Sequence, residues 1–343
     1  MRKLLNTLYV TSSDAHLGKE GENVVIRVDD EIRFRVPIHN LESIVTMGYT
    51  GASPALMNLC AERGVSLAFH TTNARLLARV TPAGKGNVLL RKRQYEMHDS
   101  EDDSVAISKS VIVGKLTNAR AVLNRFTRDY KSDPGVPSVE STANHLKLLM
   151  PKVLNATSLD ELRGIEGDGA RQYFSVFRHL ILQQKQDFSF EGRSRRPPMD
   201  RVNALLSFLY SMLTHDCASA LETVGLDSQV GFLHRLRPGR ASLALDIMEE
   251  LRPYMADRLA LSLINNRLVS PKDFIEKETG AFLLKEDSRK TVIDAWQKRK
   301  QQQVHHPYMQ EKVEIGLLPY CQALLMARCI RGDLDLYPPY RMS

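Results

Sequence analysis

Apolar and polar positions alternate in short runs from residue 4 to about residue 82, and from Val105 onward apolar residues recur every three to four positions. The first pattern predicts strands at 4–10, 23–28, 32–38 and 43–47, each rich in β-branched residues. Turn signals at Gly18-Lys19-Glu20-Gly21 and Asp29-Asp30 separate them. Their spacing suggests an antiparallel meander. One helix interrupts it at 54–63, with Leu56, Met57, Leu59, Cys60 and Ala61 apolar and Gly64 as its stop, and strands at 65–70 and 76–81 follow. The second pattern begins with Ile107, Val111, Ile112, Leu116, Ala119, Val122 and Leu123, the apolar face of a long amphipathic helix. Further helical segments are expected at 142–149, 158–162, 169–183, 202–214, 216–224, 255–265, 272–277, 288–303 and 312–331.

The change of period divides the chain. Residues 1–90 are expected to form a small β-rich domain with one helix. Residues 91–104, where Arg91-Lys92-Arg93 gives way to an acidic run at 99–103, read as a linker, and 105–343 as a larger all-α domain. The fold class is therefore α+β in two domains, in keeping with 343 residues, more than one core usually serves. No heptad run, internal repeat or long low-complexity tract changes this division.

Composition narrows the class of activity only a little. A hydrophobic content of 43% and a charged content of 25% suit a soluble globular protein, and no run approaches the ~18 apolar residues of a membrane span. The segment MRKLLNTLYV is broken by Asn6 and Thr7 and lacks a signal-peptide cleavage site, so a cytoplasmic location is expected. Cys60, Cys217, Cys321 and Cys329 form no CxxC pair and read as buried thiols. The formal charge of +7 points toward a polyanionic partner.

Three segments carry candidate chemistry. GFLHRLRPGRASLALDIMEELRP, residues 231–253, sets His234 and a basic turn with Arg235, Arg237 and Arg240 before a helix carrying Asp246, Glu249 and Glu250. At helical spacing those three acids can share a face opposite Ala244, Ile247, Met248 and Leu251, and Pro253 is expected to end the helix. A histidine with clustered carboxylates is a donor set for a hard divalent cation. GIEGDGAR, residues 164–171, places Glu166 in what reads as a glycine-rich turn, without the Gly-Lys-Ser/Thr ending of a phosphate loop. GRSRRPPMDRVN, residues 192–203, offers Arg193, Arg195 and Arg196 as a rigid basic strip that could hold phosphates, with Asn203 as either a helix cap or a phosphate contact.

Taken together, GIEGDGARQYF at 164–174, GRSRRPPMDRVNALLSFLY at 192–210 and VGFLHRLRPGRASLALDIMEELRP at 230–253 resemble the CRISPR-associated spacer-integration endonucleases, the first-numbered Cas proteins. PALMNLCAERGVSLAFH at 54–70 and ALLMARCIRGDLDLYPPY at 323–340 are similar too, so the likeness runs through nearly the whole chain and is closest to the subtype I-C branch. The resemblance implies a metal-dependent DNA endonuclease and integrase of CRISPR adaptation that joins 3′-hydroxyl ends of a captured double-stranded fragment to the repeat. It implies Mg²⁺ or Mn²⁺ held by Glu166, His234 and Glu249, with Asp246 as a further catalytic acid and no assigned role for Glu250. It also implies a homodimer, working with a small second Cas protein in a heterohexamer. Two other functions fit the residues alone: a non-catalytic nucleic-acid-binding subunit of the same fold, and a metal-dependent phosphodiesterase unrelated to CRISPR.

Overall fold

The computed structural model describes residues 7–12, 14–41, 43–48, 50–71, 76–80, 87–194 and 197–342. The chain separates into two units, Met1–Lys85 with Glu286–Gln301, and Gly86–Lys285 with Gln302–Ser343. The first unit contains β1 (Thr7–Val10), β2 (His16–Glu20), β3 (Asn23–Val28), β4 (Glu31–Pro37), β5 (Ser43–Met47), β6 (Gly51–Ala52), α1 (Pro54–Arg63), β7 (Ser66–His70) and β8 (Leu76–Val80). One sheet has the order β4-β3-β2-β6 and the other β1-β5-β7-β8. In the second sheet β1, β5 and β7 run parallel, which corrects the expected meander. Parallel neighbours need a crossover, and α1 supplies it between β5 and β7. Ser53 caps α1 by accepting from the Leu56 N–H, Pro54 follows it, and Gly64 closes the helix at φ 70°. Leu17, Val24, Ile38, Ile44, Leu56, Leu59, Cys60 and Leu67 pack between the sheets and α1 as the unit's core.

The second unit is mainly helical. It holds α2 (Val88–Asp99), α3 (Glu101–Asp129), α4 (Val136–Asn155), α5 (Leu159–Ser175), α6 (Arg201–Thr223), α7 (Ser242–Arg252) and α8 (Arg258–Asn265). After these come the hairpin of β9 (Phe274–Glu276) and β10 (Phe282–Leu284), helix α9 (Glu286–Lys300), the hairpin of β11 (Gln303–His306) and β12 (Glu311–Glu314), and α10 (Leu318–Arg331). Of these, α9 belongs to the first unit: it buries Val292, Ile293 and Trp296, and the Gln297 side chain donates to the Thr7 carbonyl. The expected α+β organisation is observed, with the two small hairpins added to the helical part.

The stretch 91–104 is not a linker. Asn87 caps α2, Ser100 caps α3, and Glu101, Asp102 and Asp103 fill the first turn of α3, where carboxylates complement the helix dipole. Its charges are the exposed face of α2, whose other face buries Leu90, Gln94 and Met97. Helix α3 is the central element, packed against α4, α5 and α7. Glu166 likewise lies within α5 rather than in a turn. Glycines at 164, 167 and 169 disfavour helix by about 1 kcal/mol each, and tertiary packing overrides them. A Cβ at Gly169 would stand 2.6 Å from Leu116 Cδ2, so its absence lets α5 close onto α3. Pro253 caps the C-terminal end of α7, as expected, but the helical path does not stop there. The chain widens into a π turn over Pro253–Asp257 and continues as α8, absorbing the N–H that proline lacks.

Candidate active site

Helix α2 fastens the loop that leads to His234. The buried Gln94 side chain donates to the carbonyls of Asp227 (2.8 Å) and Val230 (2.7 Å) and accepts from the Asp227 N–H at 2.9 Å. Arg91 Nε donates to the Gly225 carbonyl at 3.2 Å, and His98 Nδ1 lies 2.6 Å from the Gly231 carbonyl. The loop then turns its backbone onto α7. Asp246 Oδ2 accepts from the N–H groups of Phe232 (2.6 Å) and Leu233 (3.1 Å), and Oδ1 accepts from the N–H of His234 at 3.1 Å. His234 Nδ1 sits 2.6 Å from the same Oδ1.

Asp246 is fully buried and its acceptor capacity is filled by these four contacts. These contacts place it to orient the imidazole. With Nδ1 protonated toward Asp246, Nε2 is the nitrogen that can coordinate. Burial lowers the His234 imidazole, but the bond to Asp246 and the charges of Asp246 and Glu249 outweigh it and raise the group above its ordinary value.

Gly231 makes this docking possible. A Cβ there would lie 2.6 Å from Asp246 Oδ2 and 2.6 Å from the Ser242 carbonyl carbon. Gly231→Ala is expected to destabilise the fold by about 1–3 kcal/mol through overpacking, and to displace the loop that carries His234. Denaturant midpoints and the NMR shifts of the His234 ring measured side by side check this; wild-type values for both would refute the docking role.

Glu249 lies one turn further along α7. Its Oε1 accepts from Arg252 Nη1 at 3.1 Å, and its Oε2 lies 2.7 Å from Lys115 Nζ of α3. The same ammonium forms an ion pair with Glu166 of α5. Burial alone would raise the Glu249 carboxyl, but Arg252, Lys115 and His234 together hold it well below the usual carboxylate range. Arg252 is itself buried, its guanidinium over the rings of Phe174 (5.7 Å) and Tyr210 (5.5 Å), and Tyr210 Oη donates to the buried Asp257 at 2.5 Å. Burial pushes the Asp257 carboxyl up to about 6.

Among the described residues no three His, Cys, Asp or Glu side chains form a ready metal cage. Instead, Glu166 and Glu249 flank one cation position, occupied by the Lys115 ammonium, with His234 in electrostatic reach of Glu249. Two hard carboxylates and one imidazole are a donor set suited to Mg²⁺ or Mn²⁺. Glu250 faces elsewhere. It accepts from Tyr337 Oη, from Gln322 Nε2 at 3.1 Å and from the Tyr340 N–H at 2.9 Å, which bind the C-terminal segment to α7. The acids of α7 thus do not share one face, and no face of the helix is solvated, because Asp246, Glu249 and Glu250 are all buried.

The expected arginine contacts divide. Arg193 points inward: Nη1 donates to Asn203 Oδ1 at 2.6 Å, Nη2 to Ser207 Oγ at 3.1 Å, and the guanidinium lies over Tyr210. Asn203 is committed to that loop as well, donating to the Gly192 carbonyl, while Asp200 caps α6. Arg195 and Arg196 lie outside the described residues. Arg235 and Arg237 are exposed beside the Pro238-Gly239 turn and Arg240 is half-buried; Arg235 is held by Asp160 at 2.9 Å. Sequence reasoning passed over Lys115 and Arg252. Lys115 was detectable as the one cation in the stripe Ser108, Val111, Ile112, Leu116 and Ala119, all of them buried in α3.

Residues 8–298 match the family described as CRISPR associated protein Cas1. The chain belongs to the Cas1 family. A relative from Rhodospirillum rubrum named CRISPR-associated endonuclease Cas1 2 is 51% identical over 346 residues, covering 99% of each chain. Among solved structures, a casposase bound to integration product superposes with a TM-score of 0.85 at 21% identity, over 98% of this chain and 94% of that one. The Cas6-RT-Cas1–Cas2 complex gives 0.81 at 22% identity, over 98% of this chain and 36% of the larger chain. At those identities the likeness is one of fold, and it bears out the two-part α+β organisation. The Cas1 motifs at 164–174 and 230–253 fall inside the matched residues and contribute part of α5, the loop that carries His234, and α7, while α3 with Lys115 lies outside both motifs.

Proposed function

We propose that this Cas1 chain is a divalent-metal-dependent DNA endonuclease and integrase that inserts captured double-stranded fragments into a CRISPR repeat array. The observation that carries the proposal is the convergence of Glu166 and Glu249 on one cation position, with an imidazole oriented by a buried carboxylate in electrostatic reach of Glu249. Glu166, His234 Nε2 and Glu249 would hold Mg²⁺ or Mn²⁺, which when bound polarises the scissile phosphate and stabilises the departing oxygen. Asp246 keeps His234 in the coordinating tautomer. Arg252 fixes Glu249 through its Oε1, leaving Oε2 toward the cation position. Arg235, Arg237 and Arg240, on the same loop as His234, would hold the DNA backbone, a sequence-independent and salt-sensitive contact.

No side chain acts as a covalent nucleophile in this scheme. Attack by water gives cleavage and attack by a DNA 3′-hydroxyl gives joining, so one site serves both reactions. The reading extends to the partners. The chain would act with a Cas2 protein, supported by the likeness to a structure whose description joins Cas1 with Cas2, and as a homodimer, two Cas1 dimers to one Cas2 dimer, which is what the family resemblance implies.

The test is incubation of the purified protein and a Cas2 partner with a short duplex and a repeat-bearing plasmid. Joined product is expected with Mn²⁺ or Mg²⁺ and none after EDTA. Tight DNA binding with no joining or nicking under any divalent ion would favour the non-catalytic subunit, and equal activity in EDTA would remove the metal from the mechanism.

A further inference from the structure

We propose that Lys115 is a built-in counter-cation that occupies the metal position of the metal-free protein, so that metal loading is an exchange of the Lys115 ammonium for the divalent ion. This inference rests on the assignment of Glu166 and Glu249 as ligands.

Three observations lead to it. Lys115 is 3% exposed, in the apolar stripe of α3, where an uncompensated ammonium is strongly unfavourable. Its compensation comes from the two carboxylates that the proposed metal needs, Glu249 at 2.7 Å and Glu166. Glu249 already has a second cation, because Arg252 holds its other oxygen. The pair formed with Lys115 is therefore in excess of what orienting Glu249 requires.

The two basic residues differ in their freedom to leave. Arg252 is clamped over Phe174 and Tyr210 and supports Glu249 from behind. Lys115 carries its charge on a flexible four-carbon stem, a compact point charge without a fixed fork. An ammonium and a Mg²⁺ at about 2.0–2.1 Å from its oxygens cannot share the space between the same two carboxylates. A divalent ion neutralises both acids where the ammonium neutralises one, so exchange is favourable once the ion is abundant, and the site stays compact without it. In this account Lys115 is a positioning residue that sets metal affinity and stabilises the empty site.

Lys115→Met in the full-length chain tests this, with Mn²⁺ binding followed by calorimetry and electron paramagnetic resonance. Removing the competing charge is expected to tighten Mn²⁺ binding by about tenfold or more. It should also lower the thermal midpoint of the metal-free protein, with recovery at saturating Mn²⁺ beyond the gain seen in wild type. If the variant folds only with metal, purification in Mn²⁺ followed by chelator competition reads the same affinity. Unchanged or weaker Mn²⁺ binding in Lys115→Met, with normal binding in wild type, overturns the proposal and leaves the ligand assignment standing. Absence of Mn²⁺ binding in the wild type as well overturns both.

Discussion

His234→Ala is expected to abolish the proposed metal-dependent joining and nicking of DNA, with rates at least about a thousandfold below wild type, the scale of losing a group that acts only on the transition state. The imidazole is the single nitrogen donor of the proposed site. The nearby His98 is engaged with the Gly231 carbonyl, and His145 with Asp168 at 2.8 Å, so neither replaces it. The fold should survive. After truncation Asp246 keeps the N–H groups of Phe232, Leu233 and residue 234, and the His234 side chain is about one-fifth exposed, so no large cavity forms. Circular dichroism and thermal melts would stay close to wild type while Mn²⁺ affinity falls. Activity within tenfold of wild type would remove His234 from the site.

Much of this was legible because local chemistry and tertiary structure agree. Ser53, Pro54 and Gly64 mark α1 in the sequence and perform those roles in the structure. The 3.6-residue period after Val105 is the buried face of α3. The residues alone leave Asp246, Glu249 and Glu250 as equal candidates, and it is the family resemblance that singles out 166, 234 and 249, which lie on α5, the loop before α7, and α7. What the sequence could not show depends on long-range packing. Glu166 looks like a turn residue because three glycines surround it, and only the approach of α5 to α3 at Gly169 makes the segment helical. Strand direction in the β1-β5-β7 sheet depends on where α1 crosses, which alternation alone does not reveal. The residues 91–104 look like a linker because their charges dominate, whereas the decisive residue is Gln94, a polar side chain buried to hold backbone carbonyls of the His234 loop. Arg193 reads as a phosphate contact and proves to be a brace between its loop and α6.

The same long-range logic makes Asp246→Asn the second most damaging change, and one that removes no candidate ligand. An amide at 246 has one oxygen for the donors that now share two. With its oxygen toward the N–H groups of Phe232 and Leu233, its NH₂ faces the N–H and Nδ1 of His234, and Nδ1 must then accept a hydrogen bond. The proton moves to Nε2, the nitrogen needed for the metal. In the opposite orientation the NH₂ confronts two buried backbone donors. Either way a fully buried group is left unsatisfied, at about 1–3 kcal/mol. Mn²⁺ affinity should fall by about 10–100-fold, as for other carboxylates that orient a ligand histidine. Cleavage should fall further, by about 10³–10⁴-fold, as where an aspartate that sets a catalytic histidine's tautomer becomes asparagine. Nitrogen-15 spectra of the His234 ring would show the tautomer change directly. A variant that keeps the wild-type tautomer and wild-type Mn²⁺ affinity would mean that Asp246 only anchors the loop.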